Sequence, residues 1–147
     1  SFCPSISEVQ YQFYNEEIAL ANAIGVGIQP FDKEVFYQRT SVLGQEYMGE
    51  GCDVPFDEEW EVGYGTGPFT IQNRYVTEDV PVGCHVYHEL GKKFGVPTPI
   101  IDSMIVLGGV MNKTDYFESG LKLEDLGIGH MDKEALLAYL NEGVYTE

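Results

Sequence analysis

The stretch Thr98-Pro99-Ile100-Ile101-Asp102-Ser103-Met104-Ile105-Val106-Leu107-Gly108-Gly109-Val110-Met111 decides the fold class. Thr98 before Pro99 is a helix-start signal: the fixed φ of proline suits the first turn, and its missing N–H costs nothing there. Ile100, Ile101, Met104, Ile105, Leu107 and Val110 continue a pattern that is apolar almost all round, which predicts a central buried helix. Asp102 sits one turn inside it. A carboxylate there is costly to bury unless it is paired.

Upstream, Asp79-Val80-Pro81 repeats the start signal, with Asp79 as an acidic cap, and predicts a helix through Leu90 that closes near Gly91 or Gly95. Downstream, Asp132 to Asn141 reads as an amphipathic helix with Leu136, Leu137 and Leu140 on its inner face. At the start of the chain, Val9, Phe13, Ile18, Ala21 and Ile24 recur at helical steps between Ser7 and Ile24. Ser5 or Ser7 is the candidate cap and Gly25 the stop. Pro30-Phe31-Asp32 opens a second helical stretch through Arg39 or beyond, with Asp32 as its N-cap. Glu50 to Phe69 carries four glycines and two prolines, and reads either as a long loop or as a pair of short elements. Strand evidence is limited to short pieces such as Phe69 to Ile71. The expectation is an all-α protein, a compact helical bundle forming one domain over residues 1–147, with no internal repeat.

Composition narrows the function classes. A chain of 147 residues is about one ordinary domain, and 44% hydrophobic with 13% aromatic residues can supply a core. There are 24 acidic against 8 basic residues, a formal net charge of −16, so phosphate backbones and anionic lipid repel it. Neither a nucleic-acid nor a membrane-surface role is expected. Cys3, Cys52 and Cys84 are odd in number, widely spaced and form no CxxC pair, as reduced thiols would be. No apolar run reaches the ~18–20 residues of a membrane span. Ser1-Phe2-Cys3-Pro4 lacks the features of a signal peptide, so a cytoplasmic setting is expected.

Gly25-Val26-Gly27 and Gly63-Tyr64-Gly65-Thr66-Gly67 are the candidate phosphate loops, but neither follows a strand and opens a helix, so both read as turns. His85 and His88, three apart, would share one helix face and could in principle share a metal; the plainer reading is partly exposed helix residues. His130 has no pattern around it. Arg74, one of few basic residues, precedes a helix start that carries Glu78 and Asp79. Its guanidinium could grip a substrate carboxylate bidentately, or simply pair with Glu78 or Asp79.

Three blocks occur in order: Arg74-Tyr75-Val76-Thr77-Glu78-Asp79-Val80-Pro81-Val82-Gly83, then Leu90-Gly91-Lys92-Lys93-Phe94-Gly95-Val96-Pro97-Thr98-Pro99-Ile100-Ile101-Asp102-Ser103-Met104-Ile105, then Leu123-Glu124-Asp125-Leu126-Gly127-Ile128. Together they resemble the C-terminal domain of the octopine/nopaline/opine dehydrogenase family, whose fold is 6-phosphogluconate-dehydrogenase C-terminal-like. The helix ending Glu17-Ile18-Ala19-Leu20-Ala21-Asn22-Ala23-Ile24-Gly25 is a looser match to the first helix of that domain.

The resemblance implies an N-terminal Rossmann domain that holds NAD or NADP, and a helical half that closes over an amino acid and a 2-oxo acid. The two condense to an imine, which is reduced to a secondary amine. It implies that Asp102 orients a catalytic imidazole and stabilises its protonated form; a capping role for Asp102 is the alternative. Arg74 is the candidate carboxylate contact, Tyr75 and Thr98 are weaker ones, and Trp60 would supply an apolar wall. The family's histidine belongs to a His-Pro segment ahead of the first helix. None of His85, His88 and His130 sits at that motif position, so the role is not transferred to any of them. The isolated chain is expected to be inactive and to bind no dinucleotide tightly. A non-catalytic helical interaction or dimerisation module is the competing class; a ketopantoate-reductase type of dehydrogenase is a third, disfavoured by the Arg74 block. The sequence does not identify the 2-oxo acid or the amino donor, does not choose between NAD and NADP, and leaves a homodimer open.

Overall fold

A computed structural model describes residues 4–36 and 69–143. The regular elements among them are all helical: α1 (Pro4–Ile24), α2 (Lys33–Phe36), α3 (Arg74–Thr77), a π-helical turn (Val80–Cys84), α4 (His85–Phe94), α5 (Pro99–Asn112), α6 (Tyr116–Ser119) and α7 (Lys133–Glu142). The protein is all-α, as its pattern predicts. Residues 69–71, read as a possible strand, form bends. The remainder of the Glu50 to Phe69 stretch lies outside the described residues, as does everything beyond Phe36 in the second helical stretch. Contacts divide the chain into two compact units, Ser1–Asn15 with Gln29–Gly67, and Glu16–Ile28 with Pro68–Glu147.

In the first unit, aromatic side chains do the packing. Tyr14 stacks on Phe36 at 4.9 Å, and Tyr11 meets Phe36 at 5.3 Å. The Tyr14 hydroxyl accepts from the Phe31 backbone N–H at 2.8 Å. Asp32 caps α2, its carboxylate accepting from the Val35 N–H at 3.0 Å, the role its position predicts. Helix α1 begins at Pro4, ahead of both serines proposed as its cap.

The second unit is built on a helical hairpin. Its first arm does not start at Asp79. Asn73 is the N-cap, accepting from the Tyr75 N–H at 3.1 Å, and Asp79 is already helical and makes no capping bond. The cause is Pro81. Its ring denies the helix one donor and crowds the preceding turn, so the ladder rearranges instead of ending. The His85 N–H reaches the Val80 and Val82 carbonyls, and the Pro81 carbonyl is left to accept from the Leu121 N–H at 2.9 Å. Helix α4 follows and closes at Gly95, whose left-handed φ of 71° makes it the C-cap. Gly91 lets the chain turn back, since a Cβ there would lie 2.7 Å from the Val96 carbonyl.

Helix α5 is the return arm. Contacts pair Gln72 with Asn112, and His88 with Asp102, so the two arms run antiparallel. Ile101, Ile105, Gly108 and Gly109 are buried, but Val106, Leu107, Val110 and Met111 are exposed. The reading of α5 as covered all round is thus corrected: one face is core and the opposite face is apolar yet open. A core cluster of Ile24, Met131 and Leu136 gathers Leu90, Phe94, Ile128 and Leu137 around it. Asp132 caps α7 through the Ala135 N–H at 2.9 Å. Leu140, expected on the inner face of α7, is exposed. No helix among the described residues is long and apolar enough to cross a membrane.

Candidate active site

The first turn of α5 brings together residues from three helices. Its own N-cap, Thr98, is buried but makes no capping bond, because its hydroxyl donates to Asp102 Oδ1 at 3.0 Å. The orphaned donors of the turn are satisfied from α1. The Ile100 N–H donates to Glu16 Oε1 at 2.7 Å and the Ile101 N–H to Glu16 Oε2 at 3.0 Å. A carboxylate at the positive end of a helix, taking two amide protons, is a favourable place for a nearly buried charge. Glu16 was missed from sequence, since its partners lie far along the chain.

Asp102 accepts a second bond. His88, on α4, places Nδ1 2.8 Å from Asp102 Oδ1. The His88 side chain is 17% exposed and that of Asp102 40%. A carboxylate can only accept, so the pair puts the imidazole proton on Nδ1 and leaves Nε2 as the basic nitrogen. Nε2 makes no hydrogen bond among the described residues. Phe117 of α6 lies edge-on to the ring at 4.9 Å and fixes its plane.

His85, one turn earlier, does the opposite. It is 1% exposed, and its nitrogens lie 2.9 Å from the Leu121 carbonyl and 3.2 Å from the Phe117 carbonyl. The reading of both histidines as partly exposed is therefore corrected for His85, which is a core group tying the π-turn to the chain around α6. The fit is tight: a Cβ at Gly120 would lie 2.4 Å from the His85 ring.

On the adjoining face, burial raises the Glu17 carboxyl above its ordinary value, although a hydrogen bond from Tyr87 opposes this. Burial likewise pushes the Tyr87 hydroxyl up to about 12 and the Cys84 thiol up to about 11, with Glu17 adding to both and Asp79 to the thiol. Cys84 is a free, unreactive thiol of the kind expected; Cys3 and Cys52 lie outside the described residues.

Arg74 stands apart from this cluster. Its side chain is 70% exposed, and its guanidinium pairs with Glu78 at 3.4 Å, the plainer of its two readings. Tyr75 beside it is exposed. Gln72 touches Asn112, ten residues along α5 from Asp102, which at 1.5 Å per residue is about 15 Å of helix. The structure therefore brings Thr98 and Asp102 together and leaves Arg74 and Tyr75 at the other end of the hairpin. Trp60 lies outside the described residues. A shallow cleft of about 380 Å³ lies over the later half of α5, lined by Ile105, Val106, Gly109, Lys113 and Phe117 among others. Gly25 follows α1 with φ 96°, so Gly25-Val26-Gly27 forms the helix stop that its glycines predict.

The model of the NAD/NADP octopine/nopaline dehydrogenase α-helical domain matches residues 1–112. The chain belongs to that family. A relative from Arthrobacter sp. (strain 1C), named opine dehydrogenase, is 28% identical over 128 residues. The match covers 85% of this chain and 33% of the relative, so the chain spans about a third of that protein's length. The family is a dehydrogenase family described by its nicotinamide cofactors. Its helical-domain match takes in α1, the whole hairpin and the His88–Asp102 pair.

Proposed function

We propose that this domain is the substrate-binding half of an NAD(P)-dependent opine dehydrogenase-like oxidoreductase, which condenses an amino acid with a 2-oxo acid and reduces the resulting imine. The observation that supports it is the His88–Asp102 pair, an imidazole held by a carboxylate within a domain of this family. Such a pair has one nitrogen anchored and one open, the arrangement that moves protons at neutral pH. Thr98 acts through Asp102, holding the same oxygen that His88 uses. Arg74, with Tyr75, recognises a substrate carboxylate away from the proton-handling pair, and Trp60 supplies an apolar wall to the amino donor. The nicotinamide, when bound by a Rossmann half, supplies the hydride. The proposed partners are thus that half and the two small-molecule substrates.

The test is the full-length protein assayed with NADH and NADPH against pairs of amino acids and 2-oxo acids. Cofactor oxidation that requires both substrates, with a secondary-amine dicarboxylate found by mass spectrometry, is the expected result. Oxidation by the 2-oxo acid alone, yielding a hydroxy acid, overturns the reading in favour of a simple keto-acid reductase. Calorimetry on residues 1–147 alone is expected to show no micromolar NADH binding.

A further inference from the structure

We propose that the cleft over the later half of α5 is the side-chain subsite of the amino donor, and that it selects an amino acid with an apolar side chain. This rests on the reductive-condensation reading above and names a substrate class for it. Helix geometry joins the cleft to the candidate site. Residues four, seven and eight places along a helix share one stripe. Counted from Asp102, those places are Val106, Gly109 and Val110, and all three line the cleft. The stripe thus starts at the Asp102 carboxylate, and Val106 follows about 6 Å further along the axis, at 1.5 Å per residue. Phe117 makes a second link. It walls the cleft from α6 and lies 4.9 Å from the ring of His88, which is bonded to Asp102. An amino acid whose nitrogen reaches the Asp102 end therefore lays its side chain along Val106 and Phe117.

The walls decide what that side chain is. The volume of about 380 Å³ is in the range of small-molecule sites. Val106 and Val110 present large apolar groups to water, 51% and 71% exposed, while Ile105 beneath them is buried. Gly109 lets the Thr114 backbone close in on the far side, since a Cβ there would lie 2.6 Å from the Thr114 carbonyl. The charged residues of the cleft do not serve a charged donor. A cationic side chain would meet Lys113 at the far end. The Asp115 carboxylate is committed to capping α6, where it accepts from the Phe117 and Glu118 N–H groups at 2.9 and 3.2 Å. A side chain of either sign would also give up its hydration against Val106, Val110 and Phe117 without gaining a new partner. An apolar side chain gains from the same walls by leaving water.

The experiment measures kcat/KM of the full-length protein for alanine, leucine, phenylalanine, lysine and aspartate as donors, each with the 2-oxo acid that supports turnover. Leucine and phenylalanine should exceed the other three by about tenfold or more, since a single methylene in an apolar site is worth about 10–200-fold. Val106→Phe fills the cleft from a half-exposed position, so the melting temperature should hold. It should lower kcat/KM for leucine and phenylalanine by about tenfold or more and leave alanine within about threefold. Val110→Phe serves if that variant does not fold. A parent that prefers lysine or aspartate, or treats leucine and alanine alike, overturns this inference alone. An equal loss for every donor in the Val106 variant also overturns it, and marks the face as one covered by another protein surface. A parent with no reductive condensation at all overturns the functional reading and this inference with it.

Discussion

At the turn end of the α4–α5 hairpin, His88, Thr98 and Asp102 share one carboxylate oxygen, half out of water, while Glu16 seals the turn beneath them. At the open end, Arg74 and Tyr75 stand in solvent, and a single exposed ion pair joins Arg74 to Glu78. Both ends carry residues that sequence alone marks as chemical. They differ in what holds them. The turn end is fixed from α1, α4, α5 and α6, so its imidazole has one orientation. At the open end the Arg74 side chain is held only by an exposed pair with Glu78, of the kind worth about 0.2–1 kcal/mol. Preorganisation of that kind suits proton transfer, whereas an exposed guanidinium suits capture of an incoming acid.

The sharpest way to break this contrast is Asp102→Asn in the full-length protein. The amide still accepts from Thr98, so melting temperature should hold, while turnover falls by about 10²–10⁴-fold. If turnover stays within about threefold and stability drops by about 1 kcal/mol, Asp102 is a helix-start residue and the two ends do not differ in chemistry. Next in size is Glu16→Ala, which strands the Ile100 and Ile101 amides. Loss of charge-assisted bonds to a nearly buried turn should cost about 1.5–3 kcal/mol, read by urea denaturation of the chain. Gly120→Ala should cost about 1–3 kcal/mol by driving a methyl into the His85 ring, leaving the His88–Asp102 bond in place.

Arg74→Gln should leave stability within about 0.5 kcal/mol, because its ion pair is exposed, and raise KM for one carboxylate substrate by about tenfold. An unchanged KM would reduce Arg74 to the ion pair alone. The smallest effect is expected at Glu17. Its carboxyl is raised from an ordinary value of 4.5 because burial penalises the charge. The folded state therefore holds its proton more tightly than the unfolded state, and stability is lost as pH rises from 4.5 through the raised value. Glu17→Gln should stabilise the protein slightly at neutral pH, and the gain should vanish below pH 4.5 when thermal melts are compared across pH.

Local signals made much of this fold legible. Pro99 started α5, Asp32 and Asp132 capped their helices, and Gly25 ended α1, because each acts on neighbours within one turn. Asp102 stood out because a carboxylate in an apolar helix demands a partner. The identity of that partner was not legible. His88 and Glu16 reach the turn from 14 and 84–85 residues away, and no spacing rule encodes such a meeting. The all-round apolar pattern of α5 overstated its burial for the same reason: composition reports what a face could bury, not whether another element lies over it. The Asp79 cap failed because proline in a helix can be absorbed by a wider turn as well as by a start.

The π-turn at Val80–Cys84 has a further consequence, which concerns register. A π-turn is in effect one residue more than an α-helix needs, and each residue rotates a helix by about 100°. The extra residue sets the azimuth of Arg74 and Tyr75 relative to His88, acting as a fixed twist between the two ends of the arm. Removing one residue between Val80 and Cys84 would straighten the helix, swing the guanidinium to a different side of the hairpin, and return the Pro81 carbonyl to the ladder. Leu121 would lose its partner in the same stroke. The direction in which this domain offers its exposed cation is thus written in a single inserted residue.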